Sequence, residues 1–418
     1  MELERAKGTI DVMPEKKIAR DEIVKTLIKV FERYGFDPLE TPILEKYEVL
    51  AAKYAGGAEI LKETFRLRDR GGRELGLRYD LTVPLARFIA MNSQLSLPFK
   101  RYQIEKVFRD GPITKARIRE FLQCDVDIVG SKSLLYDVEL IQLALDALKE
   151  LKLRCFIKVN NRKLLNEIIE YAGVKKDPEA AILIIDKLYK IGKENIKKEL
   201  MEIGLEKVQI KKIMDIISVK GTNKEKINKI RKKINKKGIN ELREVLKYFK
   251  KDVEFDPTLA RGLSYYTGTI FEIVLKNENL GCSLGGGGRY DNMIGNFAGR
   301  GEIPATGISF GLEPLSAALS SLKERKTNVE LFVIPINCTE KAFKMAKKLR
   351  SNGINTDIDL NNRNISKNLN YANKKEIPYV LFIGEKELKQ KKLKLRNMKK
   401  GKEELLEINK IIKRFKIH

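Results

Sequence analysis

The sequence of 418 residues contains one histidine, His418, and it stands last in the chain. With no histidine in the interior, Ser-His-Asp and Cys-His nucleophile systems, H-E-x-x-H zinc sites and phosphotransfer through a protein histidine are all excluded. Any catalysis must run on arginines, carboxylates, backbone donors or a bound metal. Cysteine is nearly as scarce. Cys124, Cys155, Cys282 and Cys338 stand far apart without a C-x-x-C pair, which argues against a disulfide framework and a cysteine zinc site and fits a reducing compartment. No run approaches the roughly 20 apolar residues of a membrane span, and the opening MELERAKGTIDVMPEKK lacks the apolar core of a signal peptide. The expectation is a soluble, cytoplasmic protein with no membrane contact. There is also no G-x-x-x-x-G-K-[ST] stretch, so a bound ATP would be held by a geometry other than the P-loop.

What the chain has is length, apolar content and an uneven charge. Its length corresponds to about three domains of ordinary size, and 43% hydrophobic residues suffice for real cores. The formal net charge is +26. Residues 1–150 and 256–327 carry net charges of +1 and 0, whereas residues 151–255 carry +13 and 328–418 carry +12. The excess therefore belongs to two separate segments, a pattern that a long polyanion touched at two places would explain. Lysines coating solvated helices are the bland alternative, but they leave the neutral half unexplained.

Hydrophobic spacing predicts a helix over Pro14–Tyr34 and, after the proline-containing run 35–50, two strands joined by a Gly-Gly turn at 71–72, then a helix opening near Thr82 and Pro84. FKRYQIEKVFRD (99–110) and REFLQCDVDIVG (119–130) read as a hairpin in an antiparallel sheet. A helix over 133–153 and a strand over 154–161 follow. Residues 163–252 then turn helical and lysine-rich, as an inserted module. Strand character resumes at Val253, in TIFEIVL (269–275), and in ATGISFG (305–311) after a glycine-rich loop. From 328 the order strand, helix, strand, helix, strand up to residue 384 is the signature of a small α/β domain.

Four segments carry candidate chemistry. In VFRDGPITKARIREFLQCDVDIVG (107–130), Arg109 ends one strand, where it is placed to grip a phosphate or carboxylate, and Phe121 on the next can stack on a base; solvated hairpin arginines are the alternative. LARGLSYYTGTIFE (259–272) sets Arg261 beside Tyr265 and Tyr266 in an apolar, glycine-rich setting, where an arginine needs an anion or a structural carboxylate. SLGGGGRYDNMIG (283–295) has four consecutive glycines, suited to close approach to a ligand or to a mobile turn. LRYDLTVP (77–84) sets Asp80 and Thr82 on one side of an extended segment, suited to an ammonium group, although any strand can place two polar residues so.

Together these segments resemble the histidyl-tRNA synthetases, a family of class II aminoacyl-tRNA synthetases, and the resemblance runs nearly end to end. GFDPLETPILEKYEVL is similar to the dimer-forming motif 1, with Pro42 as its proline; 107–130 is similar to motif 2; LARGLSYYTGTIFE and SLGGGGRYDNMIG are similar to the two histidine-specific signatures. ATGISFGLEPL lies where motif 3 belongs, and the REFLQCD and LRYDLTVP wording is closest to archaeal and eukaryotic members.

The resemblance implies an α+β fold: an antiparallel-sheet catalytic core at 1–162 and 253–325, a helical insertion at 163–252, and an α/β anticodon-binding domain at 328–418. It implies ATP and L-histidine as substrates, Mg²⁺, tRNA(His) as partner and a homodimer. By the same resemblance Asp80, Thr82 and Gln123 hold the ammonium, Asp127 and Tyr266 face the imidazole, and Tyr265 lines the pocket. Arg109 bridges the carboxylate and the α-phosphate, Phe121 stacks on adenine, and Arg261 lies against the α-phosphate. One departure stands out: where motif 3 has an arginine for the γ-phosphate, this chain has Pro314, leaving Arg117, Arg300 or Arg325 to cover that charge. The competing expectations are a catalytically silent relative, either a regulatory subunit of ATP phosphoribosyltransferase or a tRNA sensor, and a synthetase for threonine, proline or glycine. The 328–418 segment and Arg261 weigh against the first of these, Pro314 favours the sensor, and the histidine-type signatures disfavour the other synthetases.

Overall fold

A computed structural model describes residues 3–52, 58–114, 117–261, 265–276, 283–319 and 325–416; His418, Cys282 and Gly262 lie outside these. The chain divides into two compact units, Met1–Ile10 with Glu22–Ser321, and Asp11–Asp21 with Leu322–His418.

The first unit is built on an eight-stranded sheet. In spatial order its strands are Asp37–Pro38, Phe99–Phe108, Glu120–Val129, Ala305–Gly311, Gly285–Arg289, Thr269–Leu275, Cys155–Asn161 and Val253–Phe255. The six central strands run antiparallel, and one short parallel strand pairs at each edge. One face is apolar. Cys124, Val126 and Ile128 alternate along Glu120–Val129 and pack with Leu27, Val30 and Phe31 of helix Pro14–Arg33 and with Leu140, Ile141 and Ala144 of helix Leu135–Glu150. Alternation on a pleated strand places the intervening polar residues on the opposite face, and that face carries the cavity described below.

Six helices, from Arg162–Ala172 to Lys237–Leu246, lie in sequence between strands Cys155–Asn161 and Val253–Phe255. Their apolar stripes, Leu164, Ile168, Ile182, Ile196, Ile213, Ile230 and Leu242 among them, are continuous with the core under the sheet. The segment is thus an insertion in sequence that shares the core of the unit it interrupts. A smaller sheet orders Leu44–Lys46, Glu74–Leu77 and Arg66–Arg68.

Two sequence expectations are corrected. The four glycines at 285–288 are a central strand, hydrogen-bonded on both sides, and not a loop or a mobile turn. Glycine can fill a strand where side chains would collide: a Cβ on Gly286 would stand 1.5 Å from Arg261 Nη1. Asp80 and Thr82 do not share an extended segment either. Thr82 begins helix Thr82–Met91, and Asp80 Oδ1 accepts the Val83 N–H at 3.0 Å, satisfying a donor at the helix start.

The second unit has a five-stranded sheet in the order Thr356–Ile358, Leu331–Ile336, Tyr379–Gly384, Leu393–Asn397, Glu403–Leu406. The first three strands are parallel, as the alternating pattern requires, and the last two are antiparallel additions. Separate apolar clusters cover its two faces, one around Leu331, Ala346 and Ile411, the other around Phe332, Ala372 and Val380.

Candidate active site

On the polar face of the large sheet lies a cavity of about 450 Å³, a size suited to a small organic ligand. All nine residues singled out from the sequence line it: Asp80, Thr82, Arg109, Phe121, Gln123, Asp127, Arg261, Tyr265 and Tyr266. They come from segments nearly 190 residues apart in the chain, and the sheet brings them together. The glycines at 285–288 and Gly307 form part of the wall and keep it open; a Cβ on Gly307 would stand 1.9 Å from Asp127 Oδ1.

Two arginines supply the positive charge. Arg109 follows strand Phe99–Phe108 directly. Its Nε donates to Tyr79 O at 3.0 Å, and its guanidinium lies 5.2 Å from the Phe121 ring centroid, so the cation and the aromatic are held as a pair. Arg261 adopts φ +56°, a left-handed conformation uncommon outside glycine. Its backbone is fixed by Asp186, whose Oδ1 accepts the N–H groups of Ala260 and Arg261, while its Nη1 donates to Phe271 O at 3.1 Å. Among the described residues Arg261 Nε has no hydrogen-bond partner.

The negative charge is also concentrated. Burial pushes the Asp80 carboxyl up to about 6, against the Val83 N–H and Arg109, which favour its ionised form. Asp127 is raised as well, first by burial, with Arg101 and the Tyr290 hydroxyl opposing. Arg101 Nη2 stands 2.7 Å from Asp127 Oδ2, an ion pair off the line of an ideal hydrogen bond, and Tyr290 donates to Oδ1. Tyr265 packs between Tyr266 and Tyr290, at centroid distances of 4.8 and 5.9 Å.

Among the cavity-lining residues that sequence reasoning did not single out are Asp125, Ser309 and Tyr290. Asp125 was legible, because Gln123, Asp125 and Asp127 alternate along one strand and so share its face. Burial pushes its carboxyl up to about 7, with Arg101 lowering and Asp127 raising it further. Tyr290 lies inside the signature 283–295 and Ser309 inside the motif 3 segment 305–315, but no spacing within either segment marks them out.

Of the three arginines considered in place of Pro314, Arg117 pairs with Glu63 at 2.6 Å and is near enough for its charge to act on Arg109. Arg300 follows the short helix Met293–Phe297 and is exposed. Arg325 belongs to the other unit, where it donates to Asn328 O. Pro314 itself lies in helix Leu312–Ala318. Among the described residues no group of three or more His, Cys, Asp or Glu side chains could hold a metal ion, and no helix is long and apolar enough to cross a membrane.

Comparison with known proteins follows the same division. Residues 8–315 match the family described as histidyl-tRNA synthetase, and residues 330–417 match the anticodon binding domain. A protein named histidine–tRNA ligase 1 from Bacillus cereus is 44% identical, the match covering 96% of this chain and 97% of that protein. The histidine–tRNA ligase of Clostridium tetani is 40% identical, over 97% and 96%. Among solved structures, the histidyl-tRNA synthetase of Nostoc sp. PCC 7120 superposes with a TM-score of 0.88 at 29% identity, covering 99% of each chain. A Bacillus halodurans protein described as an ATP phosphoribosyltransferase regulatory subunit/histidyl-tRNA synthetase shares the fold, with a TM-score of 0.76 at 23% identity over 92% of this chain and 99% of that one.

Proposed function

The chain belongs to the histidyl-tRNA synthetase family, and on that premise we propose that it joins L-histidine to the 3′ end of tRNA(His), using ATP and passing through histidyl-adenylate. The observation that carries this reading is the cavity in which two arginines, Arg109 and Arg261, stand together with the carboxylates of Asp80 and Asp127. An amino acid with a nucleotide phosphate needs that polarity: acidic groups for an ammonium and a ring N–H, and cations for a carboxylate and a phosphate.

In the first step a carboxylate oxygen of histidine attacks the α-phosphorus of ATP and pyrophosphate leaves. Arg109 bridges the two reacting anions and Arg261 lies against the α-phosphate, where a fixed cation stabilises the charge that builds on the phosphoryl oxygens. Phe121 stacks on the adenine. Asp80, Thr82 and Gln123 hold the ammonium, and Asp127, Tyr265 and Tyr266 surround the imidazole. In the second step a terminal ribose hydroxyl of the tRNA attacks the histidyl carbonyl and AMP leaves. Mg²⁺ bound together with ATP would supply neutralising charge to the β- and γ-phosphates. Arg117 covers the γ-phosphate in place of the arginine that Pro314 replaces, supported by its position in the hairpin that carries Arg109.

The basic residues 163–252 contact the acceptor arm, and 328–418 read the anticodon. The enzyme works as a cytoplasmic homodimer, supported by Ile43 and Leu44 in the motif 1 segment, which remain exposed in the single chain. The match of residues 330–417 to the anticodon binding domain weighs against a regulatory subunit of ATP phosphoribosyltransferase. Charging of tRNA(His) with labelled L-histidine tests the reading. It requires histidine-dependent acylation that weakens steeply between about 50 and 200 mM salt; no acylation, or a flat salt response, contradicts it.

A further inference from the structure

Along strand Glu120–Val129 the polar residues on the cavity side are Gln123, Asp125 and Asp127, with about 6.7 Å between successive ones. Asp127 is committed to the protein through Tyr290 on one oxygen and Arg101 on the other. Asp125 is not. It is only 3% exposed, Ser309 on the neighbouring strand hydrogen-bonds it, and its Oδ1 has no hydrogen-bond partner among the described residues. The same serine orients Gln123, whose Nε2 donates to Ser309 Oγ at 3.0 Å, while Gln123 Oε1 has no partner among the described residues.

Two buried acceptors are therefore tied together through one hydroxyl on the cavity wall, and Asp80 is close enough for its charge to act on Asp125. Leaving such acceptors unmet is costly, and a ligand that brings donors removes the cost. An ammonium group brings three donors and a full positive charge in a small volume, whereas a neutral imidazole brings one N–H.

We propose that Asp125 is a direct acceptor for the α-ammonium of the amino-acid substrate, closing a three-acceptor cage with Asp80 and Gln123 Oε1. The proposal rests on this cavity being the histidine site. Asp125 then fixes the amino acid by its backbone end, turns the substrate carboxylate toward Arg109, and makes the site select α-amino acids over the corresponding hydroxy acids.

The test uses calorimetric binding to the full chain at pH 8, comparing L-histidine with imidazolelactic acid, in which a hydroxyl replaces the ammonium. Asp125→Asn keeps the shape and removes the charge; Asp125→Ser removes both and keeps the comparison available where the first variant fails to fold. Either variant should weaken L-histidine binding by about 10- to 100-fold and leave imidazolelactic acid within about threefold. Unchanged histidine affinity, or equal losses for both ligands, would overturn the assignment. Failure of the unsubstituted protein to bind L-histidine would bring down the histidine-site reading itself, and the proposal with it.

Discussion

The Asp186 carboxylate holds the turn that presents Arg261, accepting the N–H of Ala260 at 2.8 Å and that of Arg261 at 3.2 Å. Asp186 is the last residue of helix Pro178–Asp186, so the helices inserted between two sheet strands reach back to fix a cavity arginine. Arg261 needs the support because its φ of +56° is disfavoured for a residue with a side chain.

Asp186→Ala is expected to slow histidyl-adenylate formation by about 10- to 100-fold, since about an ångström of misplacement at a reacting centre costs this much, with KM for histidine little changed. Asp186→Asn keeps an accepting oxygen and should recover part of the rate. Arg261→Ala should be the slower enzyme. Equal rates for Asp186→Ala and the parent in single-turnover assays would show that the turn holds without the carboxylate.

Arg117 is half-exposed and paired with Glu63, so on the proposed assignment binding the γ-phosphate would exchange one anionic partner for another. Arg117→Ala should raise KM for ATP by about tenfold, an amount typical of one charge-assisted contact, without altering KM for histidine. Glu63→Gln should move it the other way or leave it unchanged. An Arg117→Ala enzyme with normal KM for ATP would shift the assignment to another cation.

The buried carboxyls also predict a pH dependence of stability. Asp125 at about 7 and Asp80 at about 6 lie above the ordinary carboxylate value in the folded, ligand-free protein. A group raised on folding binds more protons folded than unfolded, so its contribution falls as pH climbs from about 4 to the folded value and is level above it. Asp125→Asn should therefore make the ligand-free protein more stable than the parent at pH 8, by about 1–3 kcal/mol, and the gap should narrow toward pH 5. Urea unfolding of both at the two pH values checks this; a gap independent of pH would contradict it.

Much of this was legible in the sequence because periodicity and the signature segments are local. Helix Pro14–Arg33, the hairpin of Phe99–Phe108 with Glu120–Val129, and strands Thr269–Leu275 and Ala305–Gly311 all announce themselves by apolar spacing. Gly285–Arg289 did not, since a strand made of glycine has no side-chain alternation and is defined only by its two neighbours. Leu393–Asn397 and Glu403–Leu406 were missed in a lysine-rich stretch, where charged residues on a sheet edge read as loop. In the cavity, the motif residues were visible. Partners such as Ser309, Tyr290 and Asp186 become meaningful only once strands and helices distant in sequence are side by side.

The most direct test of the account is ATP–pyrophosphate exchange without tRNA, run with each amino acid in turn. Exchange with L-histidine alone is the predicted result, and it would show that the cavity forms the adenylate despite Pro314. No exchange with any amino acid, in a protein that still binds tRNA(His), would contradict the catalytic reading and leave a chain that recognises tRNA without activating histidine.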